Sequence, residues 1–137
     1  MQKTTAVAAQ PTLQIRPARA ADVLGIVALS ARVYSEEFCY TSEMVHGQLS
    51  HFPQGQFVAE LEGNIVGYCA TFRISEEIAL SPHTWRTITG GGFASRHDAE
   101  GDWLYGMEVC VDPAHRGLRL GRRLYDARKK LCASLGL

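Results

Sequence analysis

Val111-Asp-Pro-Ala-His-Arg-Gly-Leu-Arg-Leu-Gly121, running on as Arg122-Arg-Leu-Tyr-Asp-Ala-Arg-Lys-Lys130, is the stretch on which the fold turns. The residues before it, Trp103 to Val111, are apolar and strand-like, and the run stops at Asp112-Pro113 because proline cannot donate to a sheet ladder. From about Leu118 to Leu135, Leu120, Leu124, Ala127, Leu131 and Leu135 recur at helical spacing, with Arg122, Arg123, Lys129 and Lys130 turned outward. A strand, an Arg/Gly-rich loop and a helix start in direct succession make an anion site. The first turn of a helix has unpaired N–H groups and a partial positive charge, and small residues let a phosphate reach them.

Upstream, Leu13-Gln-Ile15 alternates and runs into Arg16-Pro17, a short first strand. Asp22 opens a helix with Val23, Ile26, Val27, Ser30 and Val33 on one face, and a second short helix follows from Thr41 or Ser42 to Leu49. Gln56 to Glu62 and Ile65 to Ile74 flank Gly63-Asn64 and predict a β-hairpin. Ser81-Pro82 through Gly90 has the form of a short helix, with a serine cap, a proline in the first turn and a glycine stop. Gly90 to Gly101 is loop. The order is strand, helix, helix, hairpin, strand, helix. It predicts one α/β domain over residues 13–137 behind a flexible leader, residues 1–12.

A chain of 137 residues with 46% hydrophobic and 20% charged content buries a real core and is not disordered. Fourteen basic residues balance fourteen acidic ones, so no global field draws in nucleic acid or an anionic membrane. Basic residues nevertheless dominate from Arg116 to Lys130, which points to a local anion site. Cys39, Cys69, Cys110 and Cys132 form no C-x-x-C pair and sit in apolar or helical patterns, as free thiols do in a reducing cytoplasm. The five histidines lack metal-ligand spacing, and Gly90-Gly91-Gly92 has no lysine to make a phosphate loop. The start of the chain lacks the apolar core of a signal peptide. No run approaches the roughly 18 apolar residues of a membrane span.

The loop resembles the acyl-CoA signature of the GNAT N-acetyltransferases, (Arg/Gln)-x-x-Gly-x-(Gly/Ala) preceded by Val-x-Pro-x-x. Arg116 takes the first position and Gly121 the last, while Arg119 stands where the middle glycine is usual. At finer grain, the run from Arg116 to Lys129 is similar to GNAT domains fused to a carbon–nitrogen hydrolase (nitrilase-like) domain, where an arginine is usual at that position. The resemblance implies a GNAT-like mixed sheet with helices on both faces. It also implies acetyl-CoA as acyl donor, no metal, and a primary amine of unspecified identity as acceptor, attacking directly in a ternary complex. The backbone N–H groups of Leu118, Arg119, Leu120, Gly121 and Arg122 would cradle the pyrophosphate, with Arg116 and Gly117 shaping the loop. Arg119 fits if its Cβ points away and its backbone keeps an ordinary helical conformation; its guanidinium, Arg122 and Arg123 could then add phosphate links. Val109, Cys110 and Val111 would pair with the pantetheine arm, and an N–H near Val109 would face the thioester oxygen. The plainer alternative is an ordinary helix start with a solvated basic face behind a core strand.

An amine acceptor must lose a proton, and Glu108 is the sole carboxylate in the predicted fourth strand. It is one step out of phase with Val109, so a regular strand aims it at the opposite face, and a bulge is what could re-aim it. The family's frequent base position holds Tyr105 here, which reads as core. Glu108 is thus either the base or a structural carboxylate.

Leu135-Gly136-Leu137 reads as a helix end, a glycine cap and the first residue of a further strand. In the family a fifth strand follows, then a helix whose tyrosine often serves as general acid. The expectation is therefore an incomplete domain whose edge strand is covered by the rest of a longer protein or by a second copy in a homodimer. Three functions stand: an N-acetyltransferase, a non-catalytic CoA-binding or regulatory module, and a nucleic-acid binder using the basic helix. Neutral charge and the lack of aromatic interleaving argue against the last.

Overall fold

Gln56–Leu61 (β2) and Asn64–Ile74 (β3) meet in a hairpin whose two turn residues, Glu62 and Gly63, have φ of 50° and 83°. Positive φ at both positions is the turn whose twist matches that of the strands it joins. The turn sits one residue earlier than the Gly63-Asn64 expected, because Asn64 already pairs with Leu61. In this computed structural model, which describes residues 12–115 and 117–137, Leu13–Pro17 (β1) adds to β2 and Trp103–Val111 (β4) adds to β3. The leader before Thr12 and Arg116 lie outside the described residues. Sheet order is β1-β2-β3-β4, and the four strands pair antiparallel throughout, within the α/β class expected.

β3 is buried along almost its whole length because both faces of the sheet are covered. Helices Val23–Val33 (α1) and Ser42–His51 (α2) cover one face, where Ile26, Leu29 and Val45 pack with Tyr68, Phe72 and Ile74. Helix Leu120–Leu135 (α5) covers the other, setting Leu120 and Leu124 on Ala59, Leu61, Val66 and Cys69. Thr41 caps α2 by accepting the Met44 N–H.

The helix expected from Ser81 to Gly90 is two short ones. Glu76–Leu80 (α3) is capped by Ser75, and Trp85–Ile88 (α4) by Thr84 in a reciprocal bond with Thr87. Ser81 is the residue that ends α3, with its own hydroxyl turned back to the Ile78 carbonyl. No described helix is long and apolar enough to cross a membrane.

Candidate functional site

Strand β4 carries one extra residue. Ala70 pairs with Glu108 and Thr71 with Gly106, so Met107 is a β-bulge. Met107 and Cys110 pack into the α1/α2 cluster, whereas Val109 and Val111 pack toward α5. The bulge lies before Glu108, so Glu108 and Val109 still point to opposite faces. What the extra residue changes is the relation to Tyr105. Three positions apart, Tyr105 and Glu108 would face opposite ways in a regular strand; here both face α1 and α2, Tyr105 with its ring 5.2 Å from that of Phe72.

There the Glu108 carboxylate meets two phenols. Tyr34, at the end of α1, donates its hydroxyl to Oε1 at 2.8 Å, and Tyr40, in the following loop, donates to Oε2 at 2.7 Å. Tyr40 is held in turn: its backbone N–H donates to Ser30 Oγ at 2.7 Å, and the residue is only 4% exposed. Burial first, and then the Glu108 charge, push both phenols well above the ordinary tyrosine range, so both remain donors. The Tyr40 ring lies 6.3 Å from that of Trp85, whose indole N–H donates to the Met107 carbonyl at 3.0 Å and pins the bulge.

The other part-buried carboxylates of the fold are neutralised by arginine. Asp22 and Glu60 share Arg16, and Asp112 pairs with Arg32 at 3.0 Å. Burial opposes the charge of Asp112, but the Ala114 N–H and Arg32 outweigh it and hold the carboxyl below the usual range. Glu108, among the described residues, has phenols for partners and no arginine or lysine. Behind it, burial and then the Glu108 charge push the Cys110 thiol up to about 12, and burial takes Cys69 to about 11. Neither is a thiolate near neutral pH.

At the far end of β4 the chain makes a turn at Pro113–His115 and enters α5 at Leu120, two residues later than expected. Arg116 lies outside the described residues. Gly117 has φ 96°, and Leu118 is exposed. Arg119, the N-cap of α5, takes φ 55° and ψ 38°, the left-handed region, and not the ordinary helical region that its fit was expected to need. The reversal from turn to helix is completed within a few residues, and Arg119 supplies the left-handed step with its side chain exposed. No side chain among the described residues caps α5, so its first-turn N–H groups are those of Leu120, Gly121 and Arg122; Leu118 precedes the helix. Leu120 is buried, Gly121 has open space over it, and Arg122 and Arg123 are exposed. Arg123 turns toward a groove of about 530 Å3 between β1 and α5, with Ile15, Phe57, Lys130 and Leu131, across the sheet from Glu108. Beside the loop, His115 Nδ1 is buried 3.5 Å from Asp112 with no hydrogen bond among the described residues.

One strand thus carries Glu108 on the α1/α2 face and leads directly into the uncapped helix start. Tyr34 and Tyr40 complete the surroundings of Glu108 without having stood out in the sequence, since they come from segments far from β4; Trp85, which reads from the sequence as a core or pocket-wall residue, backs them. The sequence signal that marks the first two is a pair of tyrosines bracketing the polar loop that closes α1. No cluster of three His, Cys, Asp or Glu able to hold a metal occurs among the described residues.

Comparison with known proteins agrees with the fold. The chain is similar to the probable hydrolase YhcX of Bacillus subtilis (strain 168), with 43% identity over 95 residues that make up 69% of this chain and 18% of that protein. Among solved structures it resembles the loading GNATL domain of CurA from Lyngbya majuscula, with a TM-score of 0.76 and 26% identity over 89% of this chain and 59% of that one. It also resembles the GphF GNAT-like decarboxylase in complex with isobutyryl-CoA, with a TM-score of 0.72 and 29% identity over 82% of this chain and 55% of that one. The chain therefore spans less than two thirds of each of these relatives. The model of the acetyltransferase (GNAT) family matches residues 26–137, and the chain belongs to that family.

Proposed function

We propose that this domain transfers an acetyl group from acetyl-CoA to a primary amine. The observation that carries the reading is the Glu108 carboxylate, fixed by two phenols and left without a basic partner among the described residues, on the strand that leads into the helix start. In the proposed reaction the amine nitrogen forms a C–N bond with the thioester carbonyl carbon, the C–S bond breaks, and the electron pair leaves with the CoA sulfur. Glu108 takes the proton from the attacking nitrogen, directly or through water. The pyrophosphate would rest on the N–H groups of Leu120, Gly121 and Arg122, with Gly117 and Arg119 shaping the approach and Arg116, Arg122 and Arg123 adding positive charge. Val109, Cys110 and Val111 would flank the pantetheine arm. With their thiols held protonated, Cys69 and Cys110 are poor nucleophiles, which favours direct transfer over an acyl-enzyme.

We place the domain in a longer cytoplasmic protein, joined to a nitrilase-like hydrolase domain. The likeness to a probable hydrolase of which it matches 18% supports such a joining. A second reading, decarboxylation of a CoA thioester, draws support from the likeness to the GphF decarboxylase. The charge of Glu108 disfavours it, because an unneutralised carboxylate repels a substrate carboxylate and attracts an ammonium.

The test uses the full natural protein with acetyl-CoA and a series of primary amines, following CoA release with a thiol reagent. Glu108→Gln should lower turnover at neutral pH by about 100-fold, leave acetyl-CoA affinity nearly intact, and regain rate at high pH where the amine deprotonates by itself. Unchanged turnover removes Glu108 from the mechanism. Release of carbon dioxide from a malonyl-type thioester, with no amine-dependent CoA release, selects the second reading.

A further inference from the structure

Tyr34 and Tyr40 do more than satisfy a half-buried acid. We infer that they are positioning residues for Glu108, orienting its carboxylate toward the acceptor while leaving its negative charge uncancelled; this rests on the proposed role of Glu108 as proton acceptor.

The geometry sets the argument. Each carboxylate oxygen receives one hydroxyl, from two separate points on the chain, so rotation about the last side-chain bond of Glu108 would break both bonds at once. Both donors are themselves fixed: Tyr34 ends α1 with its N–H on the Ser30 carbonyl, and the Tyr40 N–H is on the Ser30 hydroxyl. One serine on α1 therefore anchors both arms.

The choice of donor matters as much as the geometry. Arg16 and Arg32 show how this fold neutralises its other part-buried acids. A phenol gives a hydrogen bond of similar length but carries no charge, so it supports the ionised carboxylate without occupying it electrostatically. The titratable and charged groups coupled to Glu108 are Tyr34 at the end of α1, Tyr40 in the loop, Tyr68 and Cys69 on β3 and Cys110 on β4, with Arg32 of α1 acting on Cys110 and Arg128 of α5 on Cys69. All but the two arginines are neutral at physiological pH; Arg32 is engaged with Asp112, and Arg128 lies over the Tyr125 ring. Each oxygen keeps lone-pair capacity for one more donor, and a protonated amine fits that vacancy in charge and in hydrogen bonding.

The experiment compares Tyr34→Phe, Tyr40→Phe, the double variant and Glu108→Gln in the full natural protein. The probes are acetyl-CoA and primary amines from ethanolamine to spermidine. Phenylalanine keeps the ring packing and removes only the hydroxyl. The double variant should lower kcat about tenfold with KM for acetyl-CoA unchanged. In the Glu108→Gln background the same two changes should cost nothing further. A loss of equal size in that background makes the phenols merely structural and overturns the inference. If Glu108→Gln itself keeps full turnover, or no amine releases CoA, the proposed function fails first. An acceptor-free readout stands beside these: the 13C signal of the Glu108 side-chain carboxyl should shift and broaden in the double variant, as the carboxylate loses its fixed orientation. An identical signal in both proteins contradicts the inference whatever the acceptor.

Discussion

A Cβ on Gly121 meets no atom of the described residues within 4 Å, so none of them requires glycine in the first turn of α5. Glycine in a helix costs about 0.8 kcal/mol or more against a good helix former. If the open space over it receives the CoA pyrophosphate, Gly121→Leu should raise the unfolding temperature yet weaken acetyl-CoA binding by about tenfold or more, a larger loss than Arg123→Ala gives. Calorimetric titration and a thermal melt check both halves, and equal small binding losses at the two positions would sink the CoA assignment. His97 gives a residue-scale prediction for pH. Its Nδ1 accepts the Arg73 N–H at 3.0 Å, and burial, with Arg73 and His51 adding to it, lowers its folded pKa below the ordinary imidazole value. The unfolded chain then binds the proton better, so this contribution is full above that value and is lost as pH falls below it. His97→Asn should flatten the stability profile across that window in urea unfolding. Of the site itself, Glu108 and the glycine loop were legible because both lie in one stretch. Tyr34 and Tyr40 were not, because contacts spanning 74 and 68 residues leave no local pattern. The fit of Arg119 was misjudged because sequence alone does not show how sharply the loop must reverse before α5.

At the scale of elements, β4 was readable to the residue because an apolar run ends at Asp112-Pro113, where ladder donors stop. The segment from Ser75 to Gly90 was not. It contains three competing cap signals, at Ser75, Ser81 and Thr84, and the acidic first turn Glu76-Glu77 makes the first the stronger start. The bulge at Met107 leaves no sequence mark either; it is set by pairing with β3 and by the Trp85 bond. The hairpin turn offers a test of element-level reasoning. Glu62 holds φ 50° with no glycine to ease it. Asparagine tolerates that conformation better, so Glu62→Asn should stabilise the domain by roughly 0.5 kcal/mol, seen as a higher urea midpoint at unchanged slope. No gain would mean that the strands, not the turn, fix the hairpin.

For the whole molecule, the outer edge of β4 is the exposed consequence of the sheet order. The Trp85 indole covers one carbonyl of it, and the bulge interrupts its regularity, but the strand is apolar and free of proline. We expect the 137-residue chain to self-associate with rising concentration through this edge. Light scattering across a dilution series checks this; a strictly monomeric chain at every concentration would contradict it.

The sheet order also determines how the domain assembles. Spatial order repeats chain order, yet β2 and β3 are joined by two residues while β1 waits on α1 and α2, and β4 on the stretch from Ile74 to Trp103. Closing a hairpin takes microseconds, and closing the longer loops costs more chain entropy. We expect the hairpin to be the nucleus and the docking of β1 and β4 on its two sides to set the refolding rate. Glu108 and its two tyrosines, which span both of the late steps, are then the last to come together, so the site forms only when folding is complete.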